Sequence, residues 1–195
     1  MSIVDGFLNP LLNYFLSERV KDHVIKTSRS RLDVLTTIDS VDVRINSIYL
    51  KNLTIKQPSA YDDGHPLIEA KQIKVDYSLI NLLFGKTLNL QSVSFEDIQV
   101  NVIKKNLGLK NNNIDLLRKK ALESATMAKR PTHIDVLNVD HLKIKVKGPL
   151  MTMNFGPYKF QLHHTGFTED HKLLFGLTKE DLAENIIKLI TSFFI

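Results

Sequence analysis

The chain of 195 residues contains no cysteine and no tryptophan. Without thiols, disulfide frameworks, thiol catalysis, iron–sulfur clusters and thiolate zinc sites are excluded. A long apolar run is also missing. The opening stretch from Ile3 to Leu16 is interrupted by Asp5, Asn9, Pro10 and Asn13, short of the roughly 20 apolar residues that a membrane span requires. The first basic residue is Arg19, so the positive leading region of a secretory signal is absent. The sequence as given is therefore expected neither to cross a bilayer nor to carry an export signal.

Catalytic signatures are scarce too. No glycine-rich phosphate loop, nucleophile elbow or His-Glu-x-x-His segment occurs. The histidines are His23, His65, His133, His141, His163, His164 and His171. On a strand the adjacent pair His163 and His164 would point to opposite faces, which makes shared coordination of one metal awkward. His171 follows Glu169-Asp170 in an expected surface turn. No enzyme, no metal site and no cofactor is expected.

What is present is an ordinary globular composition, 43% hydrophobic and 24% charged, which fits one domain with a sizeable core. The net charge is +5, yet the segment from Lys104 to Arg130 holds eight basic and two acidic side chains. That segment is thus +6 and the remainder −1. A cluster of this kind suits either a solvated loop and helix or an anionic lipid surface, at about 1 kcal/mol for each basic residue. It has no interleaved aromatics for stacking, so no nucleic-acid partner is expected.

The hydrophobic pattern runs helix, strands, helix. Ile3, Val4, Phe7, Leu8, Leu11, Leu12, Phe15, Leu16, Val20 and Val24 follow helical spacing, with Asp5, Asn9, Asn13, Ser17 and Lys21 on the other side. Pro10 predicts a break or a second helix start near Asn9. This helix reads as a cover over the open side of a sheet, or as an interfacial helix laid on a membrane.

From Val34 to about Phe167 the period becomes two, and one unit recurs: apolar, any, apolar, two polar, apolar, any, apolar. It is Ile48, Leu50, Leu53, Ile55; Ile68, Ala70, Ile73, Val75; Val93, Phe95, Ile98, Val100; and Leu137, Val139, Leu142, Ile144. The polar inserts are Lys51-Asn52, Lys71-Gln72, Glu96-Asp97 and Asp140-His141. Two extra residues leave an apolar face in phase only if a bulge, bend or tight turn corrects the register. His141 therefore reads as a bend residue. A bend at the same place in every strand predicts a curved half-pipe, apolar on one side and wet on the other.

Further elements follow from local signals. Ser78 to Gly85 reads as a two-turn connector helix. A helix is predicted from Asn113, covering Ile114, Leu116, Leu117, Ala121 and Leu122. Another is predicted from Thr178, capped with Asp181, placing Leu182, Ile186, Leu189, Ile190 and Phe193 on one side. Leu150 to Leu162 suggests a hairpin turning at Gly156-Pro157, with Tyr158, Phe160 and Leu162 inward.

The expected fold class is α+β: a curved, mostly antiparallel β-sheet, a half-pipe or groove, with N-terminal, connector and C-terminal amphipathic helices. One domain spans 1–195, with the N-terminal helix region at 1–30, the sheet at 34–167, a helical insert at about 113–128 and the C-terminal helix at 178–195. Seven strands spaced by about 4.8 Å make a trough of roughly 34 Å, about one bilayer core and too short to bridge two membranes.

The order and spacing of Leu53-Thr-Ile55-Lys-Gln-Pro58, Tyr61, the acidic-glycine linker Asp62-Asp63-Gly64-His65, Leu67 to Val75, Leu79 to Gly85, Val93 to Val102 and Asn112 to Leu117 resemble the N-terminal part of AsmA-like envelope proteins. The resemblance covers about residues 34 to 146. The amphipathic opening before the strands also resembles chorein-type domains. These resemblances imply a concave apolar face that holds acyl chains, with phospholipid or fatty acid as ligand. They imply a lipid-binding or lipid-transfer role in phospholipid traffic or envelope homeostasis. A membrane-associated place in the cell envelope or periplasm is implied as well, with a lipid or membrane surface and other envelope proteins as partners.

The groove candidates are Leu50, Leu53, Ile73, Val75, Phe95, Ile98, Val100, Leu142 and Ile144. The membrane-contact candidates are Phe7, Leu8, Leu11, Leu12, Phe15, Lys104, Lys105, Lys119 and Lys120. The alternative is a non-enzymatic structural or interaction module in which the same apolar residues form a sealed core under the helices.

Overall fold

The computed structural model describes residues 3–84, 86–105, 112–117, 120 and 132–167. The C-terminal helix expected at 178–195 lies outside the described residues, as does most of the insert, of which a helical turn at 113–117 is seen. His171 lies outside them as well.

The architecture is α+β, with an open seven-stranded, mostly antiparallel sheet. Helix α1 (Ile3–Thr27) leads through a π-helical turn (Ser28–Leu32) into β1 (Thr36–Thr37), β2 (Ser40–Arg44) and β3 (Ser47–Ile55). Then follow β4 (Ile68–Tyr77), the short α2 (Leu79–Phe84), β5 (Leu88–Ile103), β6 (Thr132–Lys147) and β7 (Thr152–Phe167). β1 and β2 lie end to end along one edge of β3, and the path across the sheet continues β4, β5, β6, β7. β5 and β6 are parallel, which requires a crossover, here the basic stretch after Ile103. Among the described residues no helix is long and apolar enough to cross a membrane.

The polar inserts fall in one row across the sheet. Pairing of β3 with β4 runs to Lys51↔Gln72 and resumes at Leu53↔Ala70. On β4 and β5 it skips from Gln72↔Glu96 to Ala70↔Ile98, and on β5 and β6 from Glu96↔Asp140 to Ile98↔Leu142. Asn52, Asp97 and His141 sit in this row with φ of 51°, 47° and 58°. A left-handed residue rotates the strand so that two successive side chains share the wet face, which returns the next apolar residue to the core side. Leu50 and Leu53 are both buried as a result, as are Phe95 and Ile98, and Val139 and Leu142. β4 keeps the same burial phase at Ala70 and Ile73 without a positive φ.

α1 departs from its expected course in two ways. It runs unbroken through Pro10, because the missing N–H costs one hydrogen bond while Asn9 and Asn13 tie the helix to the sheet on either side of it. The side expected to face water meets β2 instead. Asn9 Oδ1 accepts from the Ile45 N–H at 3.0 Å and Asn13 Oδ1 from the Val43 N–H at 3.1 Å. Ser17 donates to Asn13, and Lys21 Nζ donates to the Asp39 carbonyl at 3.2 Å. Four helical residues rise about 6 Å, close to two strand residues at about 6.8 Å, so the two spacings match. Among the described side chains of the apolar stripe, those packed inward belong to its later part, with Val24 buried and Leu16 and Val20 half-buried against the core.

The hairpin expected to turn at Gly156-Pro157 is a continuous strand, β7, and the turn falls at 148–151. Gly156 instead takes φ +96° where β7 passes the Leu142 carbonyl, and a methyl group there would overlap that oxygen. The pairing of β6 with β7 shifts register on both sides of Leu142. Tyr158, Phe160 and Leu162 do pack against the core.

Candidate functional site

The apolar face of the sheet is built by the row just described, since every strand from β3 to β6 would otherwise turn its second half outward. Leu50, Leu53, Ile73, Val75, Phe95, Ile98, Val100, Leu142 and Ile144 all lie on this one face, and their exposure ranges from 0% to 7%. They share one continuous cluster with Ile55, Ile68, Val93, Leu137 and Val146. The nine groove candidates are thus brought together, and they are covered.

The membrane-contact candidates are not brought together. Leu8, Leu11 and Phe15 are exposed and Leu12 is partly so; the Phe7 side chain and Lys119 lie outside the described residues. Asn9 binds Ile45, so this part of α1 stands at the end of the sheet marked by the β2–β3 turn. Lys104 and Lys105 follow β5 at the opposite end, where the Lys104 N–H donates to the Lys147 carbonyl at 2.9 Å. Lys105 Nζ lies 4.8 Å from the centre of the Tyr61 ring. Lys120 Nζ is 2.8 Å from Asp33 Oδ2, and this contact holds the Asp33 carboxyl below its ordinary pKa. These lysines are engaged in holding the crossover to the rest of the fold.

At that end a buried polar knot secures the crossover. Asn113 is fully buried. Its Nδ2 donates to Gln57 Oε1 and to the Asn101 carbonyl, each at 2.7 Å. Its Oδ1 accepts from the Ile103 and Ile114 N–H groups at 2.9 and 3.0 Å. Every hydrogen-bonding site of the amide is used, so the residue that reads in the sequence as a helix start is also an anchor between loop and sheet.

The wet face carries a cleft of about 390 Å³ along the row of polar inserts, lined by Asn52, Glu69, Lys71, Asp97, His141 and Lys143 among others. Its charges largely satisfy one another. Lys71 Nζ is 3.4 Å from both Asp97 Oδ2 and Glu96 Oε1, and these contacts, the Asp97 hydrogen bond first, raise the Lys71 pKa. His141 Nδ1 is 3.3 Å from Asp140 and 3.8 Å from Asp97. Asn52 Nδ2 donates to Asp39 Oδ2 at 2.8 Å. The arrangement ties neighbouring strands along the row. Among the described residues no group of three or more histidine and acidic side chains is placed to hold a metal ion.

Sequence reasoning missed the exposed apolar side chains of α2. Ile80 and Phe84 stand in water. The available signal was the composition of Leu79-Ile80-Asn81-Leu82-Leu83-Phe84, more apolar than a two-turn connector needs. Comparison with known proteins adds no relative: no protein-family model matches the chain, and no curated protein matches it.

Proposed function

We propose that the protein is a lipid-binding or lipid-transfer module of the AsmA-like kind, a binding protein and not an enzyme, acting in association with a membrane of the cell envelope. The observation that carries the proposal is the corrected phase of the strands. Four neighbouring strands each spend two polar residues, three of them with a left-handed residue, to keep both halves of a long strand apolar on one face. In this reading the bend row curves the sheet into a half-pipe whose concave side is that apolar wall. Acyl chains lie along it in place of the groups that cover it in this structure. Other envelope proteins are partners for a trough of this length, since it spans about one bilayer core.

The second reading, a structural or interaction module with a sealed core, is favoured by the near-complete burial of the nine wall residues. Burying such side chains stabilises a fold by about 1.5–3 kcal/mol each, so lipid must compete with the native cover. Organic extraction and native mass spectrometry of protein purified without detergent separate the two. Bound phospholipid or fatty acid is the expected result. A protein that emerges lipid-free and takes up no fluorescent fatty acid would leave the sealed-core reading standing alone.

A further inference from the structure

Two helices place apolar side chains in water at the same end of the sheet. α1 presents Leu8, Leu11 and Phe15 along one side, and Tyr14 meets Phe15 edge-on at 5.2 Å between ring centroids. α2 presents Ile80 and Phe84, 73% and 81% exposed. Their common location follows from the β2–β3 turn. Asn9 of α1 accepts from the Ile45 N–H. Tyr77, two residues before α2, donates its N–H to the Asn46 carbonyl and its hydroxyl to the Arg44 carbonyl at 3.0 and 2.7 Å.

The outward side of α1 changes character once. From Leu8 to Phe15 it is apolar; beyond that it carries Glu18, Arg19, Asp22 and Lys26, all exposed, with Lys26 paired to Asp22 at 3.6 Å. A helix that merely covers a sheet edge would be polar along its whole outer side. The division is along the axis instead, and an interface between water and lipid divides a helix in this way. Leu8 to Phe15 spans about 10 Å of helix, comparable to the roughly 5–10 Å depth at which interfacial helices seat.

We propose that this end of the molecule docks on a bilayer surface, with the outward apolar residues of α1 and Ile80 and Phe84 of α2 in the boundary between headgroups and acyl chains, and Glu18 at the water line. The side chains project as convex ridges from two separate elements, a shape that a fluid surface accommodates without a fitted pocket. Exposed Lys86 follows Phe84 by two residues, at headgroup level, where an anionic lipid complements it. The strands then stand away from the membrane, and the Lys104–Lys105 end faces water. The inference deepens the lipid-binding reading and rests on it for the membrane as the source of lipid.

The test is flotation of the full chain with vesicles of phosphatidylethanolamine and phosphatidylglycerol. Phe15→Asp and Phe84→Asp are each expected to lower the bound fraction by about tenfold or more, since a carboxylate resists entry into the acyl boundary. Leu150→Asp, at an equally exposed position (78%) on the β6–β7 turn at the other end, is expected to bind like the parent chain. Circular dichroism confirms that the variants fold. Binding retained by Phe84→Asp, equal loss in all three variants, or a parent chain that does not float would each overturn the proposal. So would a parent dimer that Phe15→Asp converts to a monomer without vesicle binding, which would assign the patch to a second copy. Lipid extraction is read separately. A floating but lipid-free protein supports docking and counts against the lipid-binding reading, whereas lipid-loaded protein that does not float does the reverse.

Discussion

Asn13 accepts a hydrogen bond from the backbone N–H of Val43 at 3.1 Å, across 30 residues of chain. With Asn9 on Ile45, in the turn just beyond β2, it gives the free edge of the strand and its end the partners that another strand would otherwise supply. An uncovered strand edge is a template for pairing with other chains.

Replacing both asparagines by alanine is therefore expected to destabilise the protein and to promote self-association. Each N–H left without its acceptor costs about 1–3 kcal/mol when desolvated, and these sites are half-buried, so the lower half of that range applies. Urea unfolding reads the first effect and size-exclusion chromatography at rising concentration the second. A double variant as stable and as monomeric as the parent would show that water caps the edge equally well.

The anchor at Asn113 predicts a larger loss. Asn113→Ala takes a partner from the Gln57 amide and from three backbone groups in a buried place, at a cost of about 2–4 kcal/mol. Asn113→Asp should be no better, because the carboxylate cannot donate to the Asn101 carbonyl. If either variant unfolds at the parent's urea midpoint, the knot contributes nothing to stability.

Acid should weaken the fold through Asp63. Burial pushes the Asp63 carboxyl up, but hydrogen bonds from Lys147 Nζ, at 3.0 Å, and from the His65 N–H outweigh it, so its pKa lies below the ordinary aspartate value. A carboxyl depressed in the folded state contributes stability above its unfolded pKa, which is lost as pH falls through the folded value. Because Lys147 is half in water, the contribution is about 0.5–1 kcal/mol. Asp63→Asn should lower stability at pH 7 by that amount, while the two proteins converge below the unfolded aspartate pKa. A constant gap from pH 7 to pH 2 would contradict the assignment.

The row of polar inserts offers a test of backbone rather than side chain. His141 is held at φ 58°, a conformation that a β-branched residue resists and glycine adopts freely. His141→Val is expected to lose about 1–2 kcal/mol more than His141→Gly, measured by thermal or urea unfolding. Equal stability of the two would mean that the left-handed conformation is not required at this position.

Much of this was legible in the sequence. The four-fold unit specified β3 to β6, their apolar face and the place where the register is corrected, because an in-phase face across a two-residue insert has few backbone solutions. α2 was bounded by its serine and glycine. Orientation was harder to read. Asn9, Asn13, Ser17 and Lys21 look like a solvent side until β2 is known to lie beside them, since the acceptor for an edge N–H is a long-range fact. The parallel pairing of β5 with β6 is equally hidden, as alternation along a strand says nothing about the direction of its neighbour. The Gly156-Pro157 pair suggested a turn for the same local reason, whereas the demand it meets is close passage at Leu142.

The crossover between β5 and β6 bears on how the chain reaches its native state. Each partner in that ladder, such as Ile98 and Leu142, is separated by 44 positions, whereas β3 meets β4 through a short connection. Closing the longer loop carries more entropy loss before any contact compensates for it. The N-terminal strands are thus expected to assemble as a first unit with β5 as its temporary rim, and the β6–β7 pair to join afterwards. Pulsed hydrogen exchange during refolding should protect Ile73 and Phe95 amides before those of Val139 and Ile144; simultaneous protection would show a single step. Until that joining the hydrogen-bonding rim of β5 is unoccupied, and this is when a nascent or heated molecule has most to gain from a chaperone.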